Sequence, residues 1–246
     1  MELDRATKSS ADRWAHLRGH ILNFGPSPRS EFSAGSGLRL LVIVLVLEGL
    51  LGPRLSILRW LHVPSPPDWV RVPILLALAL FLLRAFAGIR PAQIGLRPWR
   101  EWGLAEKSYF IQICVIANIV FAFILAPRLT AIAGDHARWG QAAVTVLTYL
   151  MWGFYQELVY RGMLQSELTR RFGAPIGILV ANVAYTFGPL HFYHLSGPSP
   201  MLMFAGIFAI GLFFGVLFAR SGNLWMVGVF HGIGDAYLTG LGSLKS

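Results

Sequence analysis

The chain has 246 residues, 55% hydrophobic and only 13% charged, with a mean hydropathy of +0.57. Soluble domains carry about 25% charged residues, so this composition excludes an ordinary soluble domain and predicts a polytopic membrane protein. The net charge of +9 would suggest nucleic acid in a soluble chain, but Lys and Arg here stand between apolar runs, where they orient a protein on the bilayer. No nucleic-acid partner is expected. Cys114 is the single cysteine, which leaves no intramolecular disulfide and no thiolate metal site.

Residues 1–37 form a polar N-terminal segment, interfacial between Trp14 and Phe24, whose mixed charge does not read as a cleavable signal. A membrane span needs about 20 mostly apolar residues. That length predicts an all-α, polytopic transmembrane bundle of about seven spans: Leu38–Leu61, Val70–Ile89, Tyr109–Ala126, Gln141–Tyr160, Ala174–Leu195, Pro200–Ala219 and Leu224–Leu241. Glu48, Pro53 and Arg54 interrupt the first of these. Residues 38–140 hold the first three spans and a second interfacial stretch, Arg90 through Glu106, where Trp99 and Trp102 suit the headgroup zone. A turn is expected between Pro64 and Pro67, and the first third of the chain offers no chemistry. Residues 141–246 supply the last four spans and a catalytic core. Lys and Arg divide roughly 15 against 6 between the two sides when the N-terminus is cytoplasmic, which sets the expected orientation. An Arg- and Ala-rich chain of this length points to a bacterial inner membrane.

Ionisable side chains are expensive inside a bilayer and persist there when function requires them. Three of the predicted spans each carry such a cluster. Glu157 and Arg161 are four apart on one helix face and can pair, which by itself reads as a helix-stapling ion pair. Gly173-Ala174-Pro175 reads as the turn to the next span. If helix runs unbroken on both sides, Gln156, Glu157 and His191 all lie about 25 Å from that turn, at 1.5 Å per residue, and hence at one depth. Gly188-Pro189 loosens the helix before His191, and freed backbone at that depth usually lines a cavity. His231 and Asp235 also share a face, flanked by a stripe of small residues, Gly228, Gly232, Ala236 and Gly240, that admits a close neighbour. A lone intramembrane His is often a packing residue, and His194 reads as a surface group near the outer end of its span.

The ordered set Glu157-x-x-x-Arg161, Phe187-x-x-x-His191 and His231-x-x-x-Asp235 resembles the CPBP family, the CAAX proteases and bacteriocin-processing enzymes also called the Abi domain. The resemblance runs from Gln141 to Tyr237, with Ser221-Gly222-Asn223-Leu224-Trp225 and Ile94-Gly95-Leu96 as further points of similarity. It implies an intramembrane glutamic endopeptidase with no cofactor and no obligatory metal, acting on a membrane-associated or tagged peptide or protein. Prenylated tails, bacteriocin leaders and C-terminal sorting tags all fit. It also implies water activation by position 156 with His191, an oxyanion site at His231 and Asp235, and a helix-ordering role for Glu157 and Arg161.

Where the family has its first Glu, this chain has Gln156. A carboxamide cannot take up a proton as a general base, so the chain is expected to bind substrate and remain inactive. Three explanations stand: a Glu→Gln exchange introduced deliberately, a natural pseudoprotease, or Glu157 as the working base. Two other classes of function remain. One is a zinc peptidase using His191, His231 and Glu157, although His-Glu-x-x-His is absent. The other is a non-catalytic scaffold or transporter, although the polar clusters occupy one half of the chain only.

Overall fold

The computed structural model describes residues 33–50, 60–64, 66–192, 195, 197 and 199–244, and all regular structure among them is helical. The expected interfacial stretch from Trp14 to Phe24, Pro53, Arg54 and His194 lie outside the described residues. Helix α1 (Ala34–Leu45) starts where Ser33 Oγ accepts from the Ser36 amide at 3.1 Å, and it runs into a π turn at Val46–Leu50. Helix α2 spans Asp68–Ala85, α3 Leu104–Ile124 and α4 Ala126–Ala133.

Helix α5 (Trp139–Glu157) widens into a π segment, Leu158–Gln165, and closes as α6 (Ser166–Phe172). Gly173, with φ +83°, makes the turn into α7 (Ala174–Phe187), whose first turn accepts Pro175 because that position needs no amide hydrogen. The last helices are α8 (Pro200–Ser221) and α9 (Leu224–Asp235), the latter ending in a π segment at Ala236–Leu241.

Helices α3 and α8 are long and apolar enough to cross a bilayer. Their outward side chains are those of a lipid-facing surface: Phe123 is 84% exposed and Met201 82%. A soluble monomer rarely leaves so continuous an apolar surface in water.

The fifth expected span, Ala174–Leu195, is shorter than its hydropathy suggests. The helix stops at Phe187, and Gly188 leaves it in extended backbone. Proline at 189 has no amide hydrogen and disfavours helical geometry in the residue before it, so an unbroken helix to His191 does not form.

Helix α5 is the centre of the bundle, and the small-residue stripe of α9 lies directly against it. A Cβ at Gly232 would stand 2.5 Å from the Leu150 carbonyl oxygen, and one at Gly153 2.6 Å from the Gly232 backbone. Gly228 and Gly240 meet the Phe154 and Tyr149 rings in the same way. On its other side the π segment reaches α8 through polar side chains: Arg161 and Gln165 donate to the Gly211 and Gly215 carbonyls at 2.6 and 2.8 Å.

The stretch from Arg90 to Glu106 does more than lie in the headgroup zone. Ile94 and Glu106 are buried, Gly95 adopts φ +92°, and its carbonyl accepts from the Leu224 amide at 3.0 Å. Glu106 pairs with Arg97 and accepts from Asn223 Nδ2 at 2.7 Å, while Asn223 Oδ1 caps α9 by accepting from the Trp225 amide. The loop therefore straps down the start of the helix that carries His231.

Candidate active site

A cavity of about 560 Å³ opens between α2, α3, α5, α8, α9 and the segment after α7. Its walls are largely apolar, including Phe121, Trp152, Leu190, Ile207, Phe214 and Phe230. Four of the sequence-selected polar residues line it: Gln156, His191, His231 and Asp235. Gln156 comes from the last turn of α5, His191 from the turn after Gly188-Pro189, and His231 and Asp235 from one face of α9.

Gln156 Nε2 donates to Asp235 Oδ2 at 3.0 Å. A carboxylate only accepts, so the amide must turn its NH₂ toward Asp235 and its oxygen away. That oxygen, Oε1, is buried and has no hydrogen-bond partner in the protein. Asp235 Oδ1 is 3.7 Å from His231 Nε2, beyond hydrogen-bond length.

His231 Nδ1 lies 2.7 Å from Glu157 Oε1, which places its proton on Nδ1 and turns Nε2 toward the cavity. Its ring stacks on Phe214 with centroids 5.0 Å apart. His191 Nδ1 lies 2.8 Å from the Tyr185 carbonyl, an acceptor only, so the neutral ring carries its proton there and Nε2 is an acceptor.

Glu157 and Arg161 do not line the cavity. Both are fully buried, with Glu157 Oε2 3.2 Å from Arg161 Nε, and the guanidinium also sits 4.3 Å from the Tyr185 ring centre. Glu157 is therefore committed on one oxygen to His231 and on the other to Arg161. The zinc arrangement of His191, His231 and Glu157 does not converge: among the described residues no three His, Cys, Asp or Glu side chains are grouped to hold a metal ion.

Residues 138–237 match a family model described as type II CAAX prenyl endopeptidase Rce1-like. Over that stretch the chain is similar to the Rce1-like family. No curated protein and no solved structure matches the chain significantly. The matched stretch contains every one of the motif residues, from Gln156 to Asp235, and most of the residues that line the cavity.

Several residues around the site escaped the sequence. Tyr185 is buried beside His191, His231, Tyr160 and Arg161, its ring 4.6 Å from that of His191. Phe187, the aromatic of the second motif, instead points outward and meets Phe204. The two differ by two positions on α7, enough to put them on different faces. The first third of the chain does contribute chemistry-bearing groups. Glu48 is buried and accepts from Tyr155 and Tyr160 hydroxyls at 3.3 and 3.0 Å, and the paired Asp68 and Arg71 line the cavity. The isolated acid at 48 within an apolar run was the available signal.

Proposed function

We propose that the chain is an intramembrane endopeptidase of the CPBP type, hydrolysing a peptide bond in a membrane-associated or tagged protein. The observation that carries this reading is that Gln156 of α5, His191 of the turn after α7, and His231 and Asp235 of α9 line one apolar cavity. Such a cavity excludes bulk water, which strengthens every dipole aimed at a developing oxyanion. His191 Nε2 faces substrate as an acceptor, and His231 is held by Glu157 so that its second nitrogen faces Asp235. Glu157 and Arg161 position His231 and α8 rather than touch substrate.

The same reading takes residues 1–37 as a cytoplasmic, partly interfacial segment, 38–140 as N-terminal transmembrane helices with the strap, and 141–246 as the catalytic core. It sets seven spans in a bacterial inner membrane, N-terminus inside. With a carboxamide at 156, the chain hydrolyses only if another cavity group takes the proton. Without one, it binds substrate and stays silent.

The test is cleavage of a pool of internally quenched, lipid-anchored peptides, farnesylated CAAX sequences among them, by the protein in nanodiscs. The wild-type chain or its Gln156→Glu variant cleaves, and His191→Ala or His231→Ala in the active background abolishes cleavage without unfolding the bundle. Undiminished turnover by both histidine variants would move the chemistry elsewhere.

A further inference from the structure

We propose that Asp235 is the general base of this chain, with Gln156 as the carboxamide partner that holds the attacking water. The proposal rests on the peptidase reading above and deepens it by naming the group that takes the proton.

Four acids come into question as the base, and three are committed. Glu157 is fully buried, hydrogen-bonded to His231 and ion-paired with Arg161, and does not line the cavity. Glu48 is buried away from the cavity and occupied by two tyrosine hydroxyls. Asp68 lines the cavity but is paired with Arg71 three residues along its own helix. Asp235 lines the cavity, its side chain is 21% exposed, and one of its oxygens keeps acceptor capacity because His231 Nε2 stops 3.7 Å short.

An oxyanion role does not suit Asp235. A carboxylate has no hydrogen to donate, and its charge would repel the oxyanion it was meant to stabilise. The donor of the pair is Gln156, whose NH₂ keeps a second hydrogen after bonding Asp235 at 3.0 Å. Its Oε1, buried and without a partner in the protein, is an acceptor placed for a water O–H or a peptide N–H.

The step balances without any outside reagent. Asp235 Oδ1 takes a proton from water as the water oxygen attacks the peptide carbonyl carbon. The carbonyl π pair moves onto its oxygen. Collapse of that intermediate breaks the C–N bond, and the proton on Asp235 passes to the departing nitrogen. The products are a carboxylic acid and an amine, and proton transfer from one to the other leaves a carboxylate and an ammonium.

A carboxamide and a carboxylate have nearly the same shape, so exchanging them across the 3.0 Å bond moves the base by one hydrogen bond and little else. The experiment uses that symmetry. Wild type, Asp235→Asn, and the double variant Gln156→Glu/Asp235→Asn are placed in nanodiscs with the same peptide pool, cleavage is read by mass spectrometry, and thermal unfolding is recorded for each. Wild type cleaves. Asp235→Asn loses about 10²–10⁴-fold, the usual worth of a general base. The double variant returns to within about tenfold of wild type, since the base is restored on the other side of the bond. Because that variant carries the same Asn, its recovery separates lost chemistry from lost folding.

Asp235→Asn cleaving as fast as wild type, or faster, overturns the proposal and leaves the peptidase reading intact. So does a silent wild type beside an active double variant, which would put the base at 156. If no variant cleaves any peptide, the peptidase reading falls and this proposal with it.

Discussion

Arg161 is among the largest side chains fully buried in the bundle, and three groups hold it: the Glu157 carboxylate, the Gly211 carbonyl and the Tyr185 ring. Removing one member of a buried ion pair strands the other, which typically costs about 3–5 kcal/mol. Glu157→Gln is therefore expected to lower the thermal unfolding midpoint in detergent sharply. It should also reduce activity, because His231 loses the partner that fixes its tautomer. An unchanged midpoint would show that Arg161 finds compensation elsewhere. This pair was legible in the sequence because i,i+4 spacing puts both residues on one helix face wherever the helix sits. The Gln156–Asp235 bond was not legible, since it joins residues 79 apart whose meeting depends on how closely α5 and α9 pack.

That packing belongs to the helices. The stripe from Gly228 to Gly240 announced a close neighbour, and α5 is that neighbour. Gly232→Ala should cost about 1–3 kcal/mol, as overpacking a tight contact does. Gly206→Ala on α8, where an added Cβ meets nothing within 4 Å, should be neutral or stabilising. Thermal unfolding of the two variants side by side checks the comparison, and equal midpoints would contradict the close approach. Gln165→Met should cost about 1 kcal/mol through the lost bond to Gly215, a typical intramembrane hydrogen bond.

Beyond the membrane-facing part of the same helix, Glu167 accepts from Arg170 and Arg171. Burial works against its charged form, but those hydrogen bonds prevail and hold its carboxyl below the usual range. The stabilisation it gives is thus present at neutral pH and lost as pH falls through the lowered pKa. A Glu167→Gln variant should flatten the acid limb of the stability profile.

At this scale the sequence misjudged α7. Hydropathy carries on past residue 187, whereas the Gly188-Pro189 break is a backbone constraint that apolar side chains do not reveal. The π segments after α1, α5 and α9 were equally unreadable, because a one-residue widening leaves the helical pattern of apolar residues nearly intact.

Across the whole molecule, the similarity to the Rce1-like family over residues 138–237 was legible from an ordered series of short motifs at membrane-compatible spacing, even though each motif alone is weak. The dependence of the site on the N-terminal third was not. The strap, held by Gly95, Glu106 and Asn223, joins segments more than 100 residues apart, and the cavity walls supplied by α2 and α3 likewise arise from tertiary contacts.

Central to the proposed function is that water, admitted to this cavity, hydrolyses a peptide bond. The direct measurement is the mass of the cleavage product formed by the wild-type chain in nanodiscs in ¹⁸O-labelled water. The expected result is that the new C-terminal carboxylate carries one ¹⁸O and that the product disappears with His191→Ala. An unlabelled product, or no product from either the wild-type chain or its Gln156→Glu variant, would contradict it.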